Sequence, residues 1–581
     1  MKFPSQPGGA AAKYFMLKVL FRKSDGDLSN IFTIFVFSVL ACVPIFLSGI
    51  PNSADMAQHF QFAVTFYDSV KDGIWYPSLA HLTNTGFGDV GVRFYPPFSY
   101  YVLILFRALS GEWFYASCAA FCFWFFTSGV GIYLWAKEWF SNRASAFAAI
   151  IYIFIPYHVN ELYNSFLYAE FAASAVLPFC FLFVTRICRP AAKNSDILGL
   201  AIAYALLILT NLPLALIGSL SLLVYALASL DRKTFFNRAL KLAAAVCLGL
   251  LASSFYWLKM LLEINFVKHN TAQFTLDRYD FHTNFAFSYF FIEAGEEALR
   301  TLWYLDTLML LTLGVFLPSI IIFYRFRRSN EFPRLFNVLI LLILALFLAS
   351  VPSEKVWENI PLLQKIQFPW RWLAIISMCG VIFNAAVFED VIKFYHSEKR
   401  WLAMLVGGLI AAAFAFTGIK IMRPVYQHAR ADFNPMVERL RTGGSYECWM
   451  PVWVKNEELA DDPLSLAERP RAVVSNQQTE KLIRFPAGKP VRTPIRTFYY
   501  PHWQASANNQ KIEVGRADNG TVLLNIPPEE TIIKLEFVEP PYVKTANFIS
   551  VFVWLFFLGA AGFLLLPAAR LKLSELFSDN K

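Results

Sequence analysis

Charged residues are scarce in this sequence. They make up 16% of its 581 residues, whereas a soluble protein carries roughly 25%. Hydrophobic residues account for 57%, and apolar runs close to the length that crosses a bilayer, about 20 residues, recur along most of the chain. The shortage of charge excludes an ordinary soluble protein and predicts a chain that lies mostly in a membrane.

The positive net charge of +9 does not indicate a nucleic-acid-binding protein. Arg and Lys are concentrated in short loops between apolar runs, which is the pattern that orients a membrane protein with these loops in the cytoplasm. The basic loops are Lys137–Arg143, Arg186–Lys193, Asp231–Lys241, Tyr324–Arg334 and Lys393–Arg400. We therefore expect no nucleic-acid partner.

Cysteines outside apolar runs are almost absent. Cys448 alone lies in the polar C-terminal region, so no disulfide is expected there. The other seven lie in or beside apolar runs, where cysteine packs as a small hydrophobe. Cys118 and Cys122 are four residues apart but have no His or acidic partner nearby in sequence, which argues against a metal site. A Gly-rich phosphate loop is also lacking, and no nucleotide-sugar site is expected outside the cytoplasm.

The alternating basic loops predict the topology. The first apolar run, about 31–50, follows a basic N-terminus and is interpreted as a retained anchor with the N-terminus in the cytoplasm. The segments near 51–112, 158–171, 210–214, 263–302, 352–370 and 421–545 then face outside. This alternation of sides requires that the segment Phe94–Leu109, which has Pro96 and Pro97 near its start, does not cross the membrane. It would instead form a re-entrant or surface helix. Twelve spans are predicted, or thirteen if that segment crosses.

The sequence therefore predicts an all-α polytopic membrane protein with a small C-terminal periplasmic domain that contains β-strands. Residues 1–420 form the membrane region, 421–545 the soluble α/β or β-sandwich domain, and 546–581 the final span and a cytoplasmic tail. Turn signals at Asn508-Asn509, Asp518-Asn519-Gly520 and Pro527-Pro528 separate the predicted strands. These strands are Thr497–Tyr500, Lys511–Val514, Thr521–Ile526 and Thr531–Phe537.

The first outer loop carries a possible catalytic group. Asp55 follows the first span closely, and His59 lies one helical turn further on. A carboxylate there can activate a hydroxyl while the cations Lys71 and Arg93 bind a phosphate, and the rings of Phe94 and Tyr95 can stack on a sugar or anchor at the membrane interface. The alternative is structural: Asp55 caps a helix that runs on through His59 towards Val70, since Asp is a good N-cap.

Two further outer segments contain ionisable residues at the membrane boundary. His158, Glu161 and Glu170 lie where the chain leaves and re-enters the bilayer, where such groups are expensive and therefore functional candidates. Arg371, in the stretch Phe368–Trp372, begins a span from the outside beside Trp370. A planar guanidinium in that position suits phosphate or carboxylate recognition. The structural alternatives are solvated loop carboxylates and a snorkelling arginine.

The order of these features resembles the GT-C superfamily of membrane glycosyltransferases. More closely, the chain resembles the bacterial membrane proteins called 6-pyruvoyl-tetrahydropterin synthase-related and the neighbouring YfhO-like group. The matching pieces are Asp55 to His59, Asn84 to Gly88, Phe94 to Pro97, Leu162 to Glu170, Thr210 to Pro213, Phe255 to Leu258 with Glu263, Phe368 to Arg371, Tyr446 to Pro451, and Tyr499 to Trp503.

The resemblance implies roles for single residues. Asp55 matches the acidic residue that acts as general base in related enzymes, Glu170 the acid of the second outer loop, and Arg371 the arginine of the FPWR motif, to which we assign phosphate binding. Relatives often have an Arg two residues after the tyrosine that aligns with Tyr163. Ser165 stands there in this chain, which weakens an anion-binding role for the second loop.

The resemblance also implies the reaction. A sugar would move from a polyprenyl-phosphate donor, such as an undecaprenyl phosphate, to a lipid, glycan or protein hydroxyl on the periplasmic face of a bacterial inner membrane. No cofactor is expected, and a metal bound by Asp55 with Glu161 or Glu170 is not favoured. The predicted site comprises Asp55 and Glu170 as catalytic residues, Arg371, Arg93, Lys71 and His59 at the donor phosphate, and Tyr95, Glu161, His158 and Trp370 at the substrate.

Two other classes of function fit a chain with many spans. A lipid or polysaccharide transporter or flippase would show internal repeats with paired helices broken by Gly or Pro, and the sequence has none. A non-catalytic assembly scaffold would account for the β-rich domain but not for the ionisable groups of the outer loops. Donor binding by the purified protein would separate these classes.

Overall fold

The computed structural model describes residues 26–565 apart from 54, 191, 277–278, 290–294, 327–331, 396–421, 423–426 and 456–470. The predicted span near 401–420 lies outside the described residues. The described α-helices are α1 Asp27–Ser48, α2 Met56–Lys71, α3 Phe98–Ser110, α4 Trp113–Ala136, α5 Asn142–Ile153, α6 Pro156–Tyr163, α7 Tyr168–Ile187, α8 Asn194–Ile208, α9 Leu212–Ser229, α10 Phe235–Ala252, α11 Ser254–Glu263, α12 Glu296–Phe326, α13 Phe332–Ala349, α14 Glu354–Asn359, α15 Pro361–Gln364, α16 Leu373–Tyr395, α17 Arg430–Leu440 and α18 Pro541–Leu565.

The protein is a multi-pass membrane protein. Within the described residues, nine helical segments are long and apolar enough to cross a bilayer, and three apolar helices are shorter. The long segments are Asp27–Ser48, Trp113–Ala136, Asn142–Tyr163, Tyr168–Ile187, Leu212–Ser229, Phe235–Ala252, Leu299–Tyr324, Pro369–Glu389 and Pro541–Phe563. The shorter ones are Phe98–Ser110, Asn194–Ile208 and Leu335–Ala349. The predicted count of twelve spans stays a prediction.

The helical region has a buried centre and an apolar outer surface. In α7 and in the span Pro369–Glu389, which includes most of α16, 89% of the most apolar stretch is buried, whereas in α18 the buried share is 22%. Helix α4 packs against α1, α3, α5 and α7, and α16 packs against α5, α12 and α13. The exposed leucines, valines and phenylalanines of α1 and α18 match a lipid environment, since apolar surface at such helices needs no cover in a bilayer.

Helix α3 corresponds to the segment that was predicted not to cross. It begins directly after Pro97 and ends at Gly111, whose φ of 78° gives a left-handed C-cap. Its 13 residues span about 20 Å, which is shorter than the hydrocarbon core of about 30 Å. The backbone of Phe98 donates to the carbonyl of Leu209 at 2.8 Å, so the start of α3 is fixed to the end of α8.

The C-terminal region contains two antiparallel sheets. The strands are β1 Ile50–Pro51, β2 Gln427–His428, β3 Ala472–Asn476, β4 Glu480–Phe485, β5 Val491–Phe498, β6 Trp503–Ala507, β7 Gln510–Ile512, β8 Val514–Arg516, β9 Thr521–Ile526 and β10 Thr531–Phe537. One sheet has the order β3-β4-β10-β6-β7 and the other β5-β9-β8. Buried residues alternate along β10 and turn into the same hydrophobic core as those of β9. The small pair β1–β2 ties this region to the end of α1.

The predicted strands are partly confirmed. The bounds Thr521–Ile526 and Thr531–Phe537 agree with β9 and β10. The prediction Thr497–Tyr500 was wrong in its bounds, since β5 begins at Val491 and ends at Phe498. The predicted strand Lys511–Val514 is divided between β7 and β8, which lie in different sheets.

Candidate active site around Asp55, Glu170 and Arg371

Asp55 lies at the N-cap position of α2, but its side chain makes no capping hydrogen bond. Its backbone carbonyl accepts the first helical bond, from the amide of His59 at 3.0 Å. The helix-cap interpretation assigned the carboxylate to the helix end, because a capping side chain accepts a backbone N–H. In the structure that carboxylate is left for other contacts.

Arg371 and Glu170 form an ion pair within electrostatic reach of Asp55. Arg371 belongs to the single helical turn Pro369–Trp372 that precedes α16, and Glu170 lies in the first turn of α7. The Nε of Arg371 donates to Oε2 of Glu170 at 2.9 Å, and Nη1 donates to the carbonyl of Ile366 at 2.8 Å. The hydroxyl of Tyr157 donates to Oε1 of Glu170 at 2.5 Å. Both oxygens of Glu170 are therefore used to hold its neighbours.

The guanidinium of Arg371 is also held by aromatic rings. Its central carbon lies 4.8 Å from the ring centroid of Phe368 and 5.7 Å from that of Trp370, and these two rings are themselves stacked. Within the described residues, its Nη2 makes no hydrogen bond. The arginine is thus oriented by two acceptors and two rings while one nitrogen stays available for an anion.

The three charged groups act on one another. Burial raises the pKa of the Asp55 carboxyl to about 6, the positive charge of Arg371 opposes this rise, and the negative charge of Glu170 adds to it. A carboxylate with such a pKa is ionised at neutral pH and still able to accept a proton, as a general base must. The structure therefore brings together the residue predicted as the base and the arginine predicted to bind phosphate.

A segment of the C-terminal region forms a wall of this site. The backbone amide of Tyr446 donates to Oε1 of Gln58 at 3.4 Å, one turn beyond Asp55. Further along, Val267 pairs with Pro451, and the amide of Lys268 donates to the carbonyl of Met450 at 3.0 Å. Burial raises the pKa of the Tyr446 hydroxyl, and the charge of Asp55 contributes.

Aromatic rings fill the space behind that wall. The rings of His269 and Trp449 are stacked at 4.5 Å, and Trp449 also stacks on Phe94 at 6.2 Å. Burial lowers the pKa of His269 to about 4, and the positive charges of Arg371 and Lys365 lower it further. His269 is therefore neutral at physiological pH and lies within electrostatic reach of the predicted phosphate site.

His59 and Tyr95 lie together beside Asp55. The Nδ1 of His59 is 2.8 Å from the Tyr100 hydroxyl, and the His59 ring contacts Tyr95 edge-on at 5.7 Å. Burial lowers the pKa of His59 to about 3, so the imidazole is neutral at physiological pH, and its predicted place at the donor phosphate stays a prediction. Burial raises the pKa of the Tyr95 hydroxyl, and the charge of Asp55 adds to this.

His158 and Glu161 form a separate polar cluster inside the helices. The Nδ1 of His158 lies 2.9 Å from Oε2 of Glu161, and its Nε2 lies 3.3 Å from the Ser128 hydroxyl. The Ser174 hydroxyl donates to Oε1 of Glu161 at 2.9 Å. His158 and Glu161 are buried and paired with one another, which differs from the structural alternative of a solvated loop carboxylate for Glu161.

Lys71 does not belong to this site, which corrects the prediction. It is the last residue of α2, whereas Asp55 precedes the first, so the 16 residues of the helix separate them by roughly 24 Å. Its side chain is exposed and lies over the ring of Tyr67 at 5.6 Å.

Arg93 is committed to a buried ion-pair network, which also corrects its predicted role. Its Nε and Nη2 donate to Glu263 at 2.6 and 2.8 Å, and its other side pairs with Glu539. The hydroxyls of Tyr500 and Tyr542 donate to Glu263 at 2.7 Å each. With no exposed surface and two carboxylate partners, Arg93 joins the first outer loop to α11, the β region and α18 rather than facing a phosphate.

The predicted acidic residues do not form a set of metal ligands. The oxygens of Glu170 are bonded to Tyr157 and Arg371, and those of Glu161 to His158 and Ser174. Within the described residues, no group of three metal-ligating side chains includes Asp55. The donor set beside Asp55 therefore fits an anion held by Arg371 better than a cation.

The sequence belongs to a known family of membrane proteins. The family model for the "6-pyruvoyl-tetrahydropterin synthase related domain; membrane protein" matches residues 92–419, more than half of the chain. This chain belongs to that family. The matched region contains Glu170 and Arg371, and it begins after Asp55. No curated protein matches the chain.

Three solved structures resemble the chain at low identity. ArnT from Cupriavidus metallidurans, bound to undecaprenyl phosphate, is 17% identical over 70% of this chain and 64% of its own, with a TM-score of 0.43. The oligosaccharyltransferase of Archaeoglobus fulgidus in the apo form is 13% identical over 73% and 57%, with a TM-score of 0.41. The arabinofuranosyltransferase AftD from Mycobacteria is 12% identical over 88% and 40%, with a TM-score of 0.44.

These three structures are GT-C glycosyltransferases, the superfamily that the sequence resembles. The chain spans less than two thirds of the length of each. At identities and TM-scores this low, the likeness carries no conclusion about what this chain binds or does.

Several residues of the site carried no assigned role in the sequence. Tyr446 and Trp449 lie in a stretch that belongs to the resemblance, so that match was the available signal. Tyr157 precedes His158 directly, but nothing in the sequence shows that its hydroxyl reaches Glu170. His269 lies in an irregular part of the outer loop, and only the fold places it near Arg371.

Proposed function

We propose that the protein transfers a sugar from a polyprenyl-phosphate donor to an acceptor hydroxyl, with inversion at the anomeric carbon. One observation carries the proposal. The carboxylate of Asp55 does not cap its helix, has a pKa raised to about 6, and lies within electrostatic reach of Arg371. The guanidinium of Arg371 is held by Glu170 and keeps one nitrogen available. A base and an anion-binding group at neighbouring positions match the two needs of this reaction.

Asp55 acts as the general base in this proposal. The acceptor hydroxyl gives its proton to the Asp55 carboxylate while its oxygen forms a bond to the anomeric carbon. The bond between that carbon and the phosphate oxygen breaks, and its electron pair leaves with the lipid phosphate. The carboxylate must lie within hydrogen-bond reach of the hydroxyl for this transfer.

Arg371 stabilises the negative charge that grows on the leaving phosphate. A guanidinium fits phosphate oxygens with directed hydrogen bonds, and its effect is largest where water is excluded. The carboxylate of Glu170 and the carbonyl of Ile366 fix two of its nitrogens. The third nitrogen is therefore already oriented, and the side chain loses little further freedom when it binds the phosphate. Glu170 is in this account a positioning residue for Arg371, and Tyr157 positions Glu170.

The site lies at the helix ends that the predicted topology places outside. Asp55 follows α1, Glu170 begins α7, and Arg371 immediately precedes α16. A lipid phosphate at the membrane surface reaches such a position from the bilayer, with its chain between the helices. The acceptor, whether lipid, glycan or protein, approaches from the aqueous side past Tyr446.

Binding of undecaprenyl phosphate by purified protein tests the donor site. Native mass spectrometry of the wild type should show the bound lipid, and the Arg371→Lys variant should bind it at least about tenfold more weakly, since lysine keeps the charge but loses the planar fork. The matched control is Arg484→Lys, because Arg484 pairs with Glu530 on the exposed surface of the β region.

Two results would contradict this assignment. Equal affinity in the Arg371→Lys and Arg484→Lys variants would remove Arg371 from the phosphate site. Binding of a sugar-charged donor that is carried across a bilayer without any transfer to a hydroxyl would favour the transporter class instead.

A further inference from the structure

A cluster of three metal-ligating side chains lies away from the Asp55 site. It consists of His282, Glu354 and Glu358, whose ligand atoms all lie within 4.8 Å of one another. His282 is in the loop after α11, and the two glutamates are one turn apart on α14. The three ligands thus come from two outer segments that are separate in sequence.

We propose that this cluster binds a divalent transition-metal cation of the zinc type. One imidazole nitrogen and two carboxylate oxygens are the ligands that Zn²⁺ accepts, and sites with three protein ligands keep one position for water. Mg²⁺ and Ca²⁺ prefer ligand sets made of oxygen alone. This proposal does not depend on the proposed glycosyl transfer.

The histidine is oriented for this role by a carboxylate outside the cluster. Nδ1 of His282 lies 2.6 Å from Oδ1 of Asp280, and the same oxygen accepts the backbone amide of His282 at 3.0 Å. The Asp280 contact selects the tautomer whose Nε2 has a free lone pair. Metal-bound histidines commonly have their second nitrogen held by a carboxylate in this way.

The distances need only side-chain adjustment to accept the ion. Nε2 of His282 is 3.8 Å from Oε1 of Glu358, which is too long for a hydrogen bond. Ligands bound at 2.0–2.1 Å in a tetrahedral site lie about 3.3 Å apart. Since the ligand atoms lie no more than 4.8 Å apart, each pair has to approach by at most about 1.5 Å to complete the site.

One competing contact is weak. Nζ of Lys355 lies 2.9 and 3.0 Å from the two oxygens of Glu358. Its side chain is 82% exposed, and surface ion pairs of this kind contribute little. Among the described residues, no hydrogen bond or ion pair uses the side chain of Glu354. A cation can therefore displace the lysine at little cost.

The position of the cluster indicates what the ion would do. Phe281, next to His282, stacks on Trp357 of α14 at 5.7 Å, so the two segments already meet there. The chain continues from α14 through α15 to Ile366, whose carbonyl accepts from Arg371. A bound cation would fasten the loop that carries His282 to the segment that leads to Arg371.

Metal titration of the tag-free, full-length protein tests the proposal. After treatment with a chelator, isothermal titration with Zn²⁺ should show one saturable site per chain, and Mg²⁺ at the same concentration should show none. The double variant His282→Asn with Glu354→Gln should bind Zn²⁺ at least about tenfold more weakly, and Asp280→Asn about 10- to 100-fold more weakly. Glu296→Gln, which changes an exposed glutamate of α12, is the matched control and should bind as the wild type does.

A second readout covers the coordination itself. Co²⁺ in place of Zn²⁺ should give the visible absorption of a four-coordinate site in the wild type and in Asp55→Asn, and the double variant should lose it. Absence of a saturable site in the wild type, or equal Zn²⁺ affinity in the wild type and a double variant with unchanged melting temperature, would overturn the proposal.

Discussion

Nε of Arg371 donates to Oε2 of Glu170 across 2.9 Å, although the two residues are 201 positions apart in the sequence. The Ile366 carbonyl holds a second nitrogen of the same guanidinium at 2.8 Å. Because the charges of Arg371 and Glu170 both act on Asp55, this ion pair sets the ionisation of the proposed base as well as the direction of the phosphate-binding group.

The pH dependence of transfer should report this coupling. The raised pKa of Asp55, about 6, means that the carboxylate is protonated below that pH and ionised above it. Since the ionised form is the base, kcat/KM should rise with pH up to a limb near pH 6 and then level off. The measurement is the initial rate of transfer from a polyprenyl-phosphate sugar between pH 4.5 and 8.

In the Glu170→Gln variant the limb should move to lower pH, because the negative charge that raises the pKa of Asp55 is removed. Glu530→Gln, at an exposed surface pair, should leave the limb in place. A limb that stays near pH 6 in the Glu170→Gln variant would show that the titrating group is not Asp55.

The sequence alone predicted the parts of this site that depend on neighbouring residues and failed where the contacts join residues far apart in sequence. Asp55, Glu170 and Arg371 were proposed from their place beside spans and from family resemblance, and the fold brings them together. Lys71 was placed at the phosphate because the site was read as one loop, whereas the helix of the structural alternative, realised as the 16 residues of α2, carries Lys71 away from Asp55. Arg93 was misplaced because its partners, Glu263 and Glu539, are 170 and 446 residues away.

The strands show the same limit. β9 and β10 were found because alternating apolar residues end at Asp518-Asn519-Gly520 and at Pro527-Pro528. β3 is largely exposed, and β6 has five residues with Trp503 as its one large apolar side chain, so neither stands out as a strand in the sequence. Pairing with β4 and β10 decides their structure, and pairing partners are set by the tertiary fold.

The network around Arg93 should be required for stability. Arg93→Met leaves the carboxylates of Glu263 and Glu539 without their cation, and breaking a buried pair in this way costs about 3–5 kcal/mol of unfolding free energy. The measurement is unfolding of the purified protein in detergent, followed by tryptophan fluorescence. Arg484→Met, in an exposed pair, should cost about 0–1 kcal/mol. If the two variants were equally stable and only Arg93→Met lost donor binding, the result would contradict this structural role and support the predicted role of Arg93 in phosphate binding.

The side of the membrane that carries the site can be tested with reporter fusions. The basic loop Asp231–Lys241 predicts a cytoplasmic position for a fusion after Lys233, and the same pattern predicts a periplasmic position after Lys489 in the β region. Alkaline phosphatase should be active only in the second fusion, and a cytoplasmic fluorescent reporter only in the first. Activity of the phosphatase in both fusions would show that the loop Asp231–Lys241 is periplasmic and would contradict the predicted topology.

Transfer and donor binding measured on one preparation of Asp55→Asn test the central claim most directly. Asparagine keeps the shape of the side chain and caps helices as well as aspartate, but it accepts no proton at neutral pH. Asp518→Asn, in an exposed turn of the β region, is the matched control. If Asp55 is the general base, Asp55→Asn should bind undecaprenyl phosphate as the wild type does while its transfer rate falls by roughly 10²–10⁴. Transfer at the rate of the wild type and of Asp518→Asn would contradict the account, because the reaction would then need no base at position 55.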